Sequence, residues 1–540
     1  MRYTWFIVLL TRAAVGDLVT NQLDSLQQLR TLMPERIWFQ EFSILVDHEG
    51  VEKQPSVQSC AAMAQSKEYF LFSTMSGESV RILDRYQQFE QSPFWRTPQA
   101  MERLKELYPT HTAGIGVEGT TLGKVSVRGN RHFPRRWFTE AIRIHPGDPL
   151  NMEDLRKDVA WLNLSPFRRT DAILRPSKDP AVTDVELVTI DQWPYRLYTG
   201  GDNTGTETTH RNRLFFGFNF GKSVLKDGQI SYQFTFAPNW NLFYAHTASA
   251  RLPLPWRHIW VLWGGYSEVK PYETVSQTKS RGVSWQVDTR YRFPIFMSPN
   301  WMQTFVVGYD FKETNNTICY DGVSIFNTNA DINQLMLGYE LGFRNPKTRV
   351  SLTAELYGNP GGITHGNKTR YYERLRYNAK DQYIYVKVAH SMAQQSRFGW
   401  FSYDITGQAS SANLLPSEQF TMTGYNAVRG YEERILNLDN ALIVNIAYET
   451  PHWSPAKAFG WCKNWDEFYF LGFFDYGLGG NHSNGPREAP FKSLASAGPG
   501  VRYQIDRYFT ARLDYGFQLG HAGFHNPTHS RYNFGMILSY

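Results

Sequence analysis

Tyr532-Asn-Phe-Gly-Met-Ile-Leu-Ser-Tyr540, the carboxyl-terminal stretch, alternates with a period of two. Tyr532, Phe534, Met536, Leu538 and Tyr540 fall on one face of a strand, and Asn533, Gly535, Ile537 and Ser539 on the other. An apolar face backed by small or polar residues, ending on an aromatic, suits the closing strand of an outer-membrane β-barrel. In lipid every backbone polar group must be paired within the protein, so only helices and closed barrels span. A half-buried strand of a soluble sandwich has the same alternation, so the rest of the chain must decide.

Composition favours the barrel. The 540 residues have no apolar run of helix-spanning length and a negative mean hydropathy, which excludes a helical membrane protein. Yet 15% are aromatic, with 31 Tyr, 36 Phe and 16 Trp, as the interfacial girdles of a wet-lumened barrel require. Cys60, Cys319 and Cys462 are too far apart for a disulfide framework or a zinc pattern. The net charge of +6 is spread out rather than gathered in a basic stripe, so no nucleic-acid partner is expected.

From residue 195 onward sixteen alternating runs can be placed, near 195–201, 211–221, 228–238, 241–253, 256–269, 279–292, 301–313, 331–345, 347–358, 380–391, 395–407, 439–450, 467–478, 498–507, 508–519 and 530–540. In 509–519, Phe509, Ala511, Leu513, Tyr515, Phe517 and Leu519 share one face, while Thr510, Arg512, Asp514, Gly516 and Gln518 share the other. Arginine and aspartate alternating with aromatics suit a wet lumen and not a dry core. The fold class read here is therefore membrane all-β, a 16-stranded transmembrane barrel over 193–540, with a small α+β module ahead of it over 119–192. That module reads as strand Lys124–Arg128, helix Arg135–Ile144, a helix capped by Asn151 and running to Trp161, then strands Thr170–Arg175 and Val182–Ile190.

The amino-terminal part is less patterned. Residues 1–16 offer one positive charge, a short apolar stretch and a loose cleavage site at Ala13–Gly16, which reads as a signal segment or as a plain apolar segment. Residues 17–118 hold a short amphipathic helix at 17–32, a strand near 37–46 and a helix near 97–107, and read either as a second, divergent module of the same kind or as a spacer.

Over about 112–540 the chain resembles the outer-membrane transporters of two-partner secretion, of the haemolysin and filamentous-haemagglutinin secretion type, within the POTRA-plus-barrel superfamily. Val117-Glu-Gly119 followed by Val127-Arg-Gly-Asn-Arg-His-Phe133 looks like the junction between two POTRA domains, Leu155–Asn163 and Pro166-Phe-Arg168 like the second helix and exit of the membrane-proximal one, and Gly201-Asp-Asn-Thr-Gly205 like the entry to the first barrel strand. Leu415-Pro-Ser-Glu-Gln-Phe420 leads to Val428-Arg429-Gly430-Tyr431. This resembles the family motif carried on a long loop folded back into the lumen, here about 408–438. Phe473, Asp475 and Gly477 resemble the F-x-D-x-G of the family's thirteenth strand, which faces that loop. A lumenal Arg429 needs a carboxylate, and Asp475 lies on the same face as Phe473 and Gly477, so a charge-assisted pair is expected. Phe534, Met536, Leu538 and Tyr540 are the expected carboxyl-terminal barrel signal. The departure from the family lies at the amino end: 36–111 does not match a first POTRA domain residue by residue, and 17–32 only weakly suggests the plug helix.

The resemblance implies export of an unfolded secreted partner protein, bound in the periplasm by the POTRA region and delivered to the cell surface. Outer-membrane lipid and the barrel-assembly machinery are the other expected partners, and the outer membrane of a Gram-negative-type bacterium the expected location. A barrel-assembly insertase keeps the same architecture, and a passive porin would need neither the module nor the loop. No nucleophile elbow, helical H-E-x-x-H or phosphate-binding loop is present, so no enzymatic activity and no cofactor are expected. His521, His525 and His529 are spaced by four, but Pro527 and nearby glycines argue against a shared helical face and hence against a metal.

Overall fold

A computed structural model describes residues 120–540 apart from 180, 223–226, 273–277, 299, 321–322, 346, 461–465, 485–490 and 520–528. The readings for residues 1–119, and for His521 and His525, lie outside the described residues.

The module comes first. Strand β1 (Thr121–Arg128), helices α1 (Arg135–Thr139) and α2 (Met152–Leu162), and strands β2 (Arg168–Pro176) and β3 (Val182–Asp191) form a three-stranded sheet in the order β1-β3-β2. β1 runs parallel to β3, and β2 antiparallel to it. Both helices cover one face, where Phe138, Leu155 and Leu162 close a core with Leu122, Val185 and Leu187. Asn151 caps α2 by accepting the backbone N–H of Glu153 at 2.9 Å and of Asp154 at 3.3 Å. Helix α1 ends at Thr139, five residues before the Ile144 expected from apolar spacing. Two tight backbone turns follow, and the buried Asp158 carboxylate then takes the N–H of Arg143 at 2.8 Å, a donor that a continuing helix would have kept.

The module seats on the barrel through charged and aromatic contacts. Arg168, its side chain buried between the Phe133 and Phe138 rings, forks onto Asp227 in the first near-mouth turn. Arg257 of the next such turn reaches Asp158 at 2.7 Å and the Ala141 carbonyl at 2.7 Å. Gly221 is needed between them, because a Cβ there would sit 2.1 Å from the Phe167 ring.

Sixteen antiparallel strands then close on themselves: β4 (Tyr195–Asp202), β5 (Arg213–Phe220), β6 (Gln229–Phe236), β7 (Phe243–Pro253), β8 (Ile259–Val269), β9 (Thr278–Met297), β10 (Trp301–Tyr320), β11 (Val323–Arg344), β12 (Thr348–Asn359), β13 (Tyr383–Ser396), β14 (Gly399–Ser410), β17 (Asn440–Glu449), β18 (Asp466–Gly480), β19 (Lys492–Ile505), β20 (Phe509–Gln518) and β21 (Ser530–Ser539). The two-residue strands β15 (Phe420–Thr421) and β16 (Asn437–Leu438) pair only with each other. All sixteen sequence runs become barrel strands, but Gly201–Gly205, expected at the entry to the first, lies at its exit, because β4 already begins at Tyr195 and ends at Asp202. The seam is β21 against β4, from Gly535 opposite Asp202 to Ser539 opposite Tyr198. Tyr540 and Leu197 exchange backbone hydrogen bonds at its end.

Every other residue faces out. Phe216, Phe305, Leu335 and Leu538 are all more than half exposed, as side chains meant for lipid must be. Their inward neighbours are polar and buried, among them Asp288, Asp310, Gln334, Asp475, Asp514 and Asn533. β10 and β11 run well past the expected 301–313 and 331–345, with pairing continuing from Thr314 opposite Ala330 to Tyr320 opposite Val323. The polar Asn315-Asn316-Thr317 sequence hides this extension, because a hairpin rising beyond the hydrocarbon needs no apolar face.

Connections at the near mouth, beside the module, include tight turns such as 397–398 and 506–508, while the far mouth carries the long segments 360–382 and 411–439. The first holds helix α3 (Thr369–Leu375), whose Tyr372 and Leu375 are buried with Leu414 and Leu415.

Candidate functional site: the lumen loop

Residues 411–439 leave β14 at the far mouth, turn into the barrel and return to β17. β14 persists to Ser410, past the expected loop start at 408, because the Ser410 N–H is held by the Asn440 side chain at 2.7 Å. The β15–β16 pair forms the neck of the loop, and a single bridge between Thr423 and Val428 closes its tip.

The tip is built around Arg429. Its Nε donates to Asp475 Oδ2 at 2.8 Å, its Nη2 to Oδ1 at 2.7 Å, and its backbone N–H to Oδ2 at 3.1 Å. This is the fork geometry that arginine and a carboxylate share, buried on both sides. The guanidinium lies 3.6 Å from the centre of the Phe473 ring, a cation–π contact. Asp475 also accepts from Asn445 at 2.8 Å and Ser496 at 3.3 Å, so its lone pairs are filled. The Arg429 carbonyl accepts from Asn533 at 2.9 Å, which ties the tip to the closing strand.

Glycine makes the approach possible. A Cβ on Gly430 would stand 2.9 Å from the Ser496 Cβ, and one on Gly516 of β20 would stand 2.8 Å from the Gly430 Cα. Loop and wall therefore meet backbone to backbone, and Gln518 donates to the Gly430 carbonyl at 2.8 Å. Val428 is fully buried over Gly477, where a Cβ would be 3.1 Å from its methyl. Tyr431 is buried and donates to the Ala495 carbonyl at 3.3 Å. Val428, Arg429, Gly430 and Tyr431 are thus brought against Phe473, Asp475 and Gly477. Phe534, Met536 and Leu538 stay apart on the outward-facing side of β21, and the exposed Tyr540 follows its end.

Around this centre lies a second layer of charge. Asp514 takes two hydrogen bonds from Arg502, at 2.7 and 3.0 Å, and one from Arg512 at 2.9 Å, and stands 3.9 Å from Arg429. Arg512 stacks 3.6 Å from the centre of the Tyr425 ring, and Arg531 bonds Glu432 at 3.0 Å. The inward set of 509–519 supplies part of this layer, although its alternation alone names no partner.

A second charged contact has no contiguous motif behind it. Glu418, buried on the limb that enters the lumen, bonds Lys312 of β10 at 2.8 and 3.1 Å, Tyr385 of β13 at 2.8 Å and Gln334 of β11 at 3.0 Å. Near the neck Arg376, just after α3, forks onto Asp439 at 2.5 and 2.8 Å. The loop therefore reaches two walls, β10–β13 by its limb and β17–β21 by its tip. Among the described residues no group of three His, Cys, Asp or Glu side chains is arranged to hold a metal ion.

Comparison with known proteins gives a consistent result. Residues 182–503, more than half of the chain, match the family described as haemolysin secretion/activation protein ShlB/FhaC/HecB. Among solved structures, the chain resembles CdiB from Escherichia coli (TM-score 0.70, 14% identity, 98% of each chain covered). CdiB from Acinetobacter baumannii is also similar (TM-score 0.64, 14% identity, 98% of this chain and 99% of that one). BamA from Haemophilus ducreyi lacking POTRA domains 1–3 aligns less completely (TM-score 0.50, 10% identity, 78% and 85% covered). No curated protein sequence matches.

Proposed function

Because the chain belongs to the haemolysin secretion/activation family, a family of outer-membrane two-partner secretion transporters, we propose that it exports an unfolded partner protein from the periplasm to the cell surface. The lumen loop is then the element that moves. The observation carrying this reading is the buried fork of Arg429 on Asp475, which holds a polar chain segment across the path a substrate would take. A porin has no use for such a segment.

The module would lie in the periplasm and hold the arriving substrate, with an exposed sheet edge offering main-chain hydrogen bonds to an extended chain. Nucleotide has no binding loop here, so net movement would come from the substrate folding and burying apolar surface outside. Insertion of the barrel would depend on the assembly machinery, with Phe534, Met536, Leu538 and Tyr540 as the strand it reads.

Planar-bilayer conductance of the refolded chain tests the reading, wild type against Arg429→Ala. Brief, unstable openings that lengthen or multiply in the variant support a loop-occupied translocator. A steady, large conductance indifferent to Arg429 would mean an open pore, and the reading would fail.

A further inference from the structure

The tip of the loop is accounted for by the Arg429 site, but the entering limb is held by other residues. Glu418 is 1% exposed and receives its bonds from β10, β11 and β13, three strands on the wall away from Asp475. The receiving wall is prepared for it. Gln334 is fixed by donating to Asp310 at 3.0 Å and accepting from Tyr383 at 3.0 Å. Arg290 in turn is paired with Asp310. Leu414 and Leu415 pack into the cluster that holds Tyr383 and Tyr385, so the limb also brings apolar surface to the same place.

We propose that Glu418 is a second anchor of the lumen loop, independent of Arg429, and that its separation from Lys312 is a required step in opening the lumen. This rests on the translocator reading above. The chemistry suits a contact that must be made and broken. A buried carboxylate left without its cation is strongly disfavoured, so the docked limb is firmly positioned. Once the limb leaves, however, Lys312, Tyr385 and Gln334 face a water-filled lumen and Glu418 faces solvent. Each of these polar groups is then rehydrated, so breaking this contact costs far less than breaking an apolar one of the same size, and the exposure of Leu414 and Leu415 is the main remaining cost. Glu418 acts by positioning the limb and need not touch the substrate.

The test uses the full refolded chain in planar bilayers, with Glu418→Gln, Arg429→Ala and the double variant. Folding is checked first by heat-modifiable migration, and Tyr385→Phe serves as a milder second variant on the wall. The expected result is that Glu418→Gln opens about tenfold more often than wild type, as a shift of a two-state loop equilibrium would give. The double variant should multiply the two single effects, as separate anchors require. In a background with Cys60, Cys319 and Cys462 changed to Ser, a maleimide should label Ser417→Cys faster when Glu418→Gln is present. Normal gating and labelling in Glu418→Gln and Tyr385→Phe, with altered gating in Arg429→Ala, would overturn the second anchor and leave the translocator reading intact. A double variant no different from Arg429→Ala would overturn its independence. Indifference of all variants would overturn both readings.

Discussion

The tip and the entering limb of the lumen loop are held by unlike physics. At the tip the contact is geometric: a planar guanidinium forked on Asp475, stacked on Phe473, beside a glycine–glycine approach that admits no Cβ. At the limb the contact is mostly charge and hydrogen-bond count: a carboxylate takes an ammonium, a phenol and an amide from three strands. Geometric contacts need particular residue types at particular places, whereas a charge contact accepts several solutions.

That difference can be attacked by substitution. The largest effect is expected for Asp475→Ala. It strands Arg429 in a buried site whose other carboxylate is 3.9 Å away. A loss of about 3–5 kcal/mol in urea unfolding of the refolded barrel is expected, along with increased protease cutting within 411–439. Gly430→Ala should come next, at about 1–3 kcal/mol, because the added methyl meets Ser496 and β20 backbone rather than a flexible side-chain end. Arg429→Lys sharpens the contrast. It keeps the charge but loses the fork and the stack, and should cost about 1–2 kcal/mol by the same assay. If it behaved as wild type, the tip would be a charge contact like the limb. Smallest is Tyr385→Phe, which removes one of four hydrogen bonds to Glu418 and should cost about 1 kcal/mol.

The same difference explains what could be read from the chain. The sixteen strands were legible because lipid on one side and water on the other enforce a period of two in each of them. Arg429 and Asp475 were legible because a resemblance covering short contiguous motifs named both, and a lumenal arginine needs a carboxylate. Glu418 stood in view within Leu415–Phe420, but its partners Lys312, Gln334 and Tyr385 come from three separate strands with no motif to join them. The extension of β10 and β11 was hidden for a different reason: beyond the bilayer the pattern-making solvent contrast disappears. The overlong reading of α1 shows the reverse error, since apolar spacing through Ile144 says nothing of Asp158 waiting for the Arg143 N–H.

One feature of the barrel's wiring bears on how such a loop can travel. Its two roots, Ser410 and Asn440, end strands that pair directly with each other at the far mouth. The segment is therefore a hairpin slung from a single pair of pegs. On the translocator reading it would be reeled out and back without unzipping any rung of the wall, since both roots stay on the same paired strands. Half of residues 411–439, stretched out, reaches roughly 45 Å, against about 30 Å of hydrocarbon. Fully paid out, it would stand clear of the surface like an opened hatch.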